Sequence, residues 1–385
     1  MTSDLRPFAT LSFAYFVTLG MFAPYASLWF QSLGFSTLAI GVIAALQSAS
    51  RVVAPYGWGW LGDHTGRRVE LIRTACLAAT LFSALLLGTT SVVWVASVVT
   101  LLYLANSAVV PLYEACVGRL LQTPQGMDAQ RYGRMRVWGS VGFIVSVAIF
   151  GLWFDVLGIS TFAAMALVVH LFLVAAAWRL PASPAPTQKG AVAASVWHTL
   201  QRAEVRWFFL SVFLTVLAHT VMSAFFSLYL HALGYSATVI GVMWAAAVWA
   251  EIVFFWFQGR WLSRLTPHQW LLVVAGVTAV RFAATGGWGS WWWVLLMAQL
   301  AHAITFAAHH ATCIHLISRY FPDQQRGRGQ ALYSMLGYGI PGILGGLGGG
   351  WLVTYAGFTS VFWVGAICGL LAWAAAWRAA HQAQA

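Results

Sequence analysis

The stretch GWLGDHTGRR, residues 59–68, separates two long apolar runs and gathers glycine and charge in one short loop. Glycines at both ends allow a tight turn and a close approach of helices. The aspartate, near a membrane boundary, can accept hydrogen bonds from arginines and from a neighbouring helix N-terminus. We therefore expect this loop to act as a conformational latch held by an ion pair. Its predicted members are Gly59, Asp63, Gly66, Arg67 and Arg68.

The composition around this loop is that of a membrane protein. The chain has 385 residues, of which 61% are hydrophobic and 8% are charged, and its mean hydropathy is +0.77. Soluble domains carry roughly 25% charged residues. Apolar runs of about 20 residues recur from end to end, and each can cross a bilayer core of about 30 Å as a helix. The first run is too long for a signal-peptide core, so we expect it to be retained.

Twelve such runs predict an all-α polytopic membrane protein with two six-helix bundles around a central cavity. The predicted spans are 8–30, 38–61, 71–89, 92–117, 132–154, 158–178, 207–230, 237–259, 269–287, 291–316, 328–353 and 358–377. The longest polar break follows the sixth span and begins PASPAPTQKG, which suits a flexible linker. The predicted domains are an N-terminal bundle (1–180), a cytoplasmic linker (181–205) and a C-terminal bundle (206–385). The second bundle's loop from Gly259, GRWLSRLTPH, lacks the aspartate, so the latch is predicted on one side only.

The net charge of +11 follows membrane topology rather than a nucleic-acid partner. Lys and Arg fall in every second loop and are absent from the alternate loops, which is the positive-inside pattern. Both termini are therefore predicted to be cytoplasmic. The four cysteines are scattered along the chain, so neither a disulfide framework nor a metal site is indicated. No cofactor is expected, and one chain of this length is expected to act as a monomer in contact with lipid.

Several ionisable side chains lie inside the predicted spans. A charge at bilayer depth costs at least about 2.5–3.5 kcal/mol, so each is a functional candidate. They are Arg51, Glu114, Arg136, Glu251 and Arg281, with His302 as a further titratable group. The sequence does not indicate a role for Arg51.

Glu114 and Arg136 are related by the loop that joins the fourth and fifth spans. Glu114 comes five residues before Arg119, and Arg136 comes five residues after Arg131. Because the two spans are antiparallel neighbours, both side chains lie about 7–8 Å inside the boundary and can pair. The pair is either a structural ion pair or a pair that faces the cavity and is opened by substrate.

Glu251, Arg281 and His302 lie on three consecutive spans, near the middle of the membrane. Their depths from the cytoplasmic ends are about 13, 19 and 25 Å. Burial disfavours an ionised carboxylate and a neighbouring arginine favours it. A carboxylate that gains and loses an arginine contact would therefore change its proton affinity between states. We expect these residues to carry proton coupling, with a static pair and an interior histidine as the structural alternatives.

The loop at residues 59–68 resembles the G-x-x-x-D-x-x-G-[RK]-[RK] signature of the major facilitator superfamily. Further segments resemble the 3-phenylpropionate permease family of bacterial proton symporters. They are YGRMRVWGSVGF (132–143), LGYSATVIGVMWAAAVWAEI (233–252), AVRF (279–282) and HAITFAAHH (302–310). The resemblance implies a proton-coupled symporter in a bacterial inner membrane, working by alternating access with the proton as coupling ion.

A more distant similarity is to the lactose permease family. It implies that Glu114 and Arg136 hold substrate and that Glu251, Arg281 and His302 handle the proton. That family carries a further proton-releasing glutamate one turn after the histidine, where this chain has Thr305. The resemblance therefore leaves Glu251 as main proton carrier, or His302 sharing the task.

The family substrates imply an aromatic or other small carboxylate. Arg136 would bind the carboxylate, and aromatic side chains would stack a ring. The aromatic candidates are Tyr15, Tyr25, Trp138, Phe225 and Tyr229. Glu114 would repel a carboxylate, and its pairing with Arg136 suits a sugar or nucleoside equally well.

Other functions have less support in the sequence. His309, His310 and His315 suggest a metal transporter, but helical spacing places His310 off the face of His302. A drug or metabolite exporter is compatible with the spans. A membrane enzyme would need a nucleophile–base pair, metal motif or nucleotide loop, and none appears, so the chain is predicted not to be an enzyme. A transport-derived sensor remains as a non-transporting alternative.

Overall fold

The computed structural model describes residues 5–123, 126–182, 196–321 and 325–383, and these are almost entirely helical. The first half contains α1 (Arg6–Ser32), α2 (Thr37–Thr65), α3 (Arg68–Leu85), α4 (Val92–Asn106), α5 (Val109–Leu120), α6 (Ala129–Leu157), a 3₁₀ turn (Ile159–Thr161) and α7 (Phe162–Trp178). A two-stranded hairpin, which the sequence did not predict, pairs β1 (Gln122–Thr123) with β2 (Gly126–Met127) before α6.

The second half begins with a short helix, α8 (Trp197–Gln201). The longer elements that follow are α9 (Ala203–Ala232), α10 (Ala237–Leu262), α11 (Pro267–Trp288), α12 (Trp292–Leu300), a π-helix (Ala303–Ala308), α13 (His309–Tyr320), α14 (Arg326–Ser334), a second π-helix (Met335–Gly339), α15 (Ile340–Ala356) and α16 (Phe358–Gln382). Of the predicted linker, residues 183–195 lie outside the described residues. The helix predicted to follow it starts at Ala203, earlier than expected.

Each predicted span coincides with helical structure, which gives an all-α polytopic architecture. Within the described residues, 10 helices are long and apolar enough to cross a membrane. The segments 68–85 and 326–356 are not among these ten. The first has 18 residues and carries charge near its start. Multiple membrane crossings are therefore established by length and hydropathy, and the count of twelve stays a prediction.

One local structure occurs twice, 200 positions apart. LGFSTLAIGV begins at Leu33 and LGYSATVIGV begins at Leu233. In each copy a glycine with positive φ ends the preceding helix, with φ of 82° at Gly34 and 86° at Gly234. A serine hydroxyl then accepts a backbone N–H of the next helix, from Ala39 at 3.2 Å and from Val239 at 3.4 Å. Because α2 and α10 start in the same way, their residues correspond one to one.

The described chain folds into two compact units. Unit 1 comprises Met1–Phe35, Ala49–Lys189 and Gly234–Ala245. Unit 2 comprises Ser36–Ser48, Gly190–Leu233 and Ala246–Ala385. The start of α2 thus belongs with unit 2 and the start of α10 with unit 1.

Unit 1 is built around the packing of α1 against α6. Glycines let the two backbones meet. A Cβ atom at Gly142 would lie 2.4 Å from the Phe13 carbonyl oxygen, and one at Gly20 would lie 2.7 Å from the Phe143 carbonyl oxygen. Ser146 adds a hydrogen bond from its hydroxyl to the Val17 carbonyl oxygen at 2.7 Å. This contact fixes α6, and therefore Arg136, relative to α1.

Unit 2 is built around α9, α11 and α16. A Cβ atom at Gly369 of α16 would lie 2.6 Å from the backbone nitrogen of Ala279 in α11. At the start of α11, Thr266 and Gln269 form a capping box in which each side chain accepts a backbone N–H of the other. The close approach of α16 holds α11, and with it Arg281, in a fixed position.

We predict that Gly142→Ala lowers the thermal unfolding midpoint of the detergent-solubilised protein, because the added methyl group overlaps the α1 backbone. Overpacking of this kind typically costs about 1–3 kcal/mol. Gly133→Ala in the same helix is the matched control, since no described atom lies within 4 Å of its Cβ position. This control should keep or raise the midpoint because alanine favours the helix. Equal midpoints for both variants would contradict the α1–α6 contact.

Candidate functional site

The loop at residues 59–68 forms the ion pair that its sequence indicates. Arg68 Nη2 donates to Asp63 Oδ1 at 2.6 Å, and the Asp63 side chain is 71% exposed. Gly66 has a φ of 67°, which a glycine adopts without strain. Arg67 is exposed, and its backbone N–H donates to the Thr65 hydroxyl at 3.3 Å.

We expected Gly59 to allow a close approach of helices, and the structure shows no such contact at this residue. No atom of the described residues lies within 4 Å of a Cβ placed there. The contact is made one turn later by Gly62, whose Cβ would lie 2.7 Å from Leu112 Cδ2. Gly62 occupies one of the unspecified positions of the motif, so the motif alone did not identify it.

Glu114 of α5 binds two side chains of α6. Arg136 Nη1 donates to Glu114 Oε1 at 2.9 Å, and the Tyr132 hydroxyl donates to Glu114 Oε2 at 2.9 Å. The carboxylate is therefore held at both oxygens. The Arg136 side chain is 54% exposed, so its guanidinium remains open to a further partner.

Tyr15 of α1 is the one predicted aromatic residue that lines cavities of unit 1. It borders the cavity that contains Glu114 and Arg136 and a second cavity that contains Arg51. Trp138 borders neither of these cavities, although it is two residues from Arg136. Two helical positions differ by about 200°, so its side chain, 51% exposed, leaves α6 on the other side.

The other aromatic candidates pack between helices in this structure, and their role as substrate contacts stays a prediction. Tyr25 is fully buried and donates to the Val147 carbonyl oxygen at 2.7 Å. Phe225, at the corresponding position of the repeat, fills the space beside Gly349, where a Cβ would meet its ring at 2.6 Å. The Tyr229 hydroxyl donates to the Thr285 carbonyl oxygen at 3.1 Å, and its ring packs on Phe362. These aromatic side chains pack against neighbouring helices.

Arg281 organises a polar array in the interior of unit 2. Its side chain is buried, with the residue 3% exposed. Nη1 donates to His302 Nδ1 at 2.9 Å and to Thr305 Oγ1 at 2.8 Å. Nη2 donates to Gln299 Oε1 at 3.3 Å. Nε has no partner among the described residues. The guanidinium of α11 is thus hydrogen-bonded to side chains of α12 and of the π-helical segment.

Glu251 joins this array through His302. His302 Nε2 lies 2.9 Å from Glu251 Oε1, and the two side chains are 17% and 19% exposed. Among the described residues Glu251 contacts this histidine and forms no ion pair with Arg281. The direct Glu251–Arg281 pair considered from the sequence is therefore absent, and His302 is the bridge between the two charges.

The hydrogen bonds determine which nitrogen of each histidine carries the proton. An arginine N–H can only donate, so His302 Nδ1 holds a lone pair and its proton lies on Nε2, facing Glu251. In His219 the assignment is reversed. Its Nδ1 lies 2.7 Å from the Thr215 carbonyl oxygen, which can only accept, and its Nε2 accepts from the Thr305 hydroxyl at 3.0 Å. Both rings are therefore neutral, and Arg281 carries the positive charge of the array.

The π-helix Ala303–Ala308 changes which histidine follows His302 on the same face. Eight residues of regular α-helix separate two side chains by about 80°. One extra residue in a π-helical turn offsets about 100° of this rotation and brings position 310 close to the face of position 302. His310 accordingly lies within electrostatic range of Glu251, and its Nδ1 is 3.1 Å from the Tyr333 hydroxyl. His309 is instead buried. The expectation that His310 lies off this face is wrong.

Sequence reasoning missed the neutral members of these clusters. His219, Thr305 and Gln299 surround Arg281, and Tyr132 holds Glu114. His219 was detectable as a titratable residue within an apolar span. Gln299 and Tyr132 carry no net charge, so nothing in the sequence singles them out. Thr305 was noted only because it stands where the lactose permease family has a glutamate, and its bond to Arg281 was not foreseen.

A set of apolar helices that buries a charged array defines a polytopic membrane transport protein. The chain belongs to the MFS_1 like family, whose model matches residues 6–364. The predicted membership of the major facilitator superfamily and the predicted fold class are thereby confirmed. The chain is a multi-pass membrane transporter and not an enzyme.

Its relatives transport different kinds of solute. The chain is 29% identical over 370 residues to a probable 3-phenylpropionic acid transporter of Escherichia coli (strain K12), covering 93% of each chain. It is 27% identical over 363 residues to a maltose permease of Geobacillus stearothermophilus, covering 94% of this chain and 91% of the relative. Its fold is similar to that of the nucleoside transporter NupG, with a TM-score of 0.83 at 17% identity and 100% of both chains covered.

We predict that His302 is the Nε2–H tautomer and His219 the Nδ1–H tautomer at neutral pH. Solid-state NMR of ¹⁵N,¹³C-histidine-labelled protein distinguishes the two, because Nδ1 is bonded to Cγ and Nε2 to Cδ2. The signals are assigned by their loss in His302→Gln and His219→Gln. A doubly protonated His302, or a proton on its Nδ1, would contradict the Arg281–His302 hydrogen bond.

Proposed function

We propose that the protein is a proton-coupled symporter that imports a small aromatic carboxylate by alternating access, with Glu251 as the proton carrier. The observation that carries this proposal is the array Glu251–His302–Arg281 inside unit 2. Two opposite charges are held there by a neutral histidine, within helices that are long and apolar enough to cross a membrane. Such intramembrane charges are retained for function because they are costly.

Burial alone favours the protonated form of Glu251, and two contacts of the array oppose that effect. The carboxylate accepts a charge-assisted hydrogen bond from His302, and it balances the buried charge of Arg281. Protonation turns that bond into a neutral one, roughly half as strong, and leaves the guanidinium uncompensated. Separation of the array would have the opposite effect, because an isolated carboxylate in an apolar interior favours its protonated form. Rearrangement of α10 against α11 would therefore couple conformation to proton uptake and release.

His302 serves in this scheme as the bridge rather than as the carrier. Its Nδ1 cannot take a proton while it accepts from Arg281, because both atoms would then be donors. The position where the lactose permease resemblance implies a second acid holds Thr305, which bonds Arg281 instead. Glu251 is therefore the titratable group of the array best suited to change its protonation state.

The relatives support a carboxylate substrate, and the polar groups of unit 1 support an alternative. A probable 3-phenylpropionic acid transporter matches over nearly the whole chain. A sugar or nucleoside is the second candidate, because the Glu114–Arg136 pair offers both an acceptor and a donor to hydroxyl groups. A maltose permease and a nucleoside transporter among the similar proteins make this alternative concrete.

The remaining assignments follow from the same proposal. The Asp63–Arg68 pair would act as a latch at one face. The chain would lie in a bacterial inner membrane as a monomer, with both termini cytoplasmic as the loop charges indicate. An exposed ion pair contributes only about 0–1 kcal/mol to stability, so a retained Asp63–Arg68 pair is better explained by gating.

We predict that Glu251→Gln abolishes uphill accumulation of substrate while equilibrium exchange continues. Glutamine keeps an acceptor oxygen for His302 Nε2–H, so the array can form, but it cannot load a proton. The measurement compares accumulation under an imposed pH gradient with counterflow of labelled substrate in proteoliposomes. Glu114→Gln, which removes a carboxylate of unit 1, is the comparison variant. Its accumulation of substrate should still respond to the pH gradient. Accumulation by Glu251→Gln at the wild-type level would refute the assignment.

We further predict that uptake of 3-phenylpropionate with one proton is electroneutral. A monoanion and a proton carry no net charge, so a pH gradient drives uptake and a membrane potential does not. Maltose or a nucleoside with one proton would carry one positive charge. In that case 100 mV supplies about 2.3 kcal/mol, or about 50-fold accumulation. Uptake into proteoliposomes, with a membrane potential imposed by potassium and valinomycin, distinguishes electroneutral carboxylate uptake from charge-carrying uptake of a neutral solute. Potential-driven accumulation of a neutral solute, without carboxylate uptake, would favour the alternative substrate.

A further inference from the structure

Arg51 is the intramembrane cation that the proposed mechanism leaves unused. It lies in α2, twelve residues before Asp63, which places it about 18 Å from Asp63 along the helix. No carboxylate among the described residues pairs with it. Its guanidinium instead lies over the ring of Tyr103 of α4, with Cζ 5.2 Å from the ring centroid. Arg51 is exposed in the structure, and a charged side chain at bilayer depth is a functional candidate by default.

The internal repeat gives this position a counterpart. Residues 33–51 and 233–251 align without gaps, and α2 and α10 begin with the same glycine and serine geometry. Arg51 is therefore the repeat equivalent of Glu251. In transporters of this kind, substrate and coupling-ion sites lie near the bilayer midplane. The corresponding positions of the two repeats thus hold a proton-carrying carboxylate in one and a permanent cation in the other.

A cleft surrounds Arg51 within unit 1. The cleft has a volume of about 40 Å³ and is partly open to solvent. Much of the lining is apolar or aromatic, from Tyr15, Leu19, Phe22, Leu102 and Tyr103. Sites for small ligands combine such walls with a few placed polar groups. The walls suit a hydrocarbon or aromatic body beside the guanidinium.

Asn106 supplies a second polar group with a known orientation. His170 Nδ1 lies 2.7 Å from the Ala166 carbonyl oxygen, so it donates and its Nε2 accepts. The Asn106 Nδ2 amide at 3.0 Å must therefore be the donor to His170 Nε2. Asn106 Oδ1 is left as a buried acceptor without a partner among the described residues. A ligand hydroxyl would reach this oxygen only after the atoms that cover it move, because the oxygen has almost no accessible surface.

Arg136 is less suited to receive a carboxylate. Its guanidinium already contacts Glu114 at 2.9 Å, and the Glu114 carboxylate is fixed on its other side by Tyr132. An incoming anion would approach a group whose charge is already compensated, next to a like charge. Arg51 has no such carboxylate beside it in the described part of the chain.

We propose that Arg51, and not Arg136, binds the carboxylate of the transported substrate, in the cleft lined by Tyr15, Phe22, Tyr103 and Asn106. The substrate class is a small monocarboxylate with an apolar or aromatic body, and Asn106 would favour members that also carry a hydroxyl group. This inference rests on the proposed transport of a carboxylate and assigns the residue that recognises it.

The test measures binding of two probes to purified protein by isothermal titration calorimetry. The probes are 3-phenylpropionate and its neutral analogue 3-phenylpropionamide. Hydrogen bonds to a charged group are worth about 1.5–3 kcal/mol, so we expect the wild type to prefer the acid by about tenfold or more. Arg51→Gln should remove this preference. Arg136→Gln should keep it, and so should Arg134→Gln, which removes an exposed arginine of α6 that borders neither cavity.

Arg51→Lys keeps the test decisive if the glutamine variant does not fold. It should retain the preference for the acid with weaker binding, because lysine keeps the charge and loses the bidentate geometry. The inference is overturned, with the proposed function intact, if Arg51→Gln still prefers the acid or if Arg136→Gln alone loses the preference. Wild-type protein that binds acid and amide equally would overturn the carboxylate substrate itself, and the inference with it.

Discussion

The burial of one guanidinium constrains the candidate site more than any other feature. Arg281 cannot lose its proton under ordinary conditions, so its donors need acceptors and its charge needs a counter-charge. The acceptors come from His302, Thr305 and Gln299, and the counter-charge comes from Glu251 through His302. This requirement fixes the tautomer of His302. It also explains why a glutamate is retained in the apolar segment 237–257.

The two units use polar groups in different ways. In unit 2 Glu251 and Arg281 belong to one connected array, so a change in the protonation of Glu251 affects the charge balance of Arg281 directly. In unit 1 the intramembrane charges are separate. Glu114 and Arg136 neutralise each other, whereas Arg51 lies over an aromatic ring beside a cleft. A division of labour, with the proton in one unit and the substrate charge in the other, agrees with the position of Arg51 and Glu251 at equivalent places of the internal repeat.

The sequence predicted the features that depend on composition, and it failed where geometry decides. Apolar runs predicted the helices because each must satisfy its own backbone in lipid. Ionisable side chains within those runs identified Glu251, Arg281 and His302 as candidate functional residues. The packing of Tyr25 and Phe225 could not be predicted, because both occupy one repeat position that packs against glycine, which composition cannot reveal. The helix face predicted for His310 was wrong, because a π-helical turn cannot be recognised from residue spacing. The hairpin at residues 122–127 is too short to produce an alternating pattern.

The central claim is that Glu251 takes up and releases the transported proton. Infrared difference spectroscopy of membrane-reconstituted protein, recorded between acid and alkaline buffer, tests it directly. A protonated carboxyl group has its own carbonyl band, separate from that of a carboxylate. The account predicts that such a band disappears on alkalinisation of the wild type, is missing in Glu251→Gln, and persists in Glu114→Gln. A band that remains unchanged in Glu251→Gln would assign the proton to another residue and contradict the account.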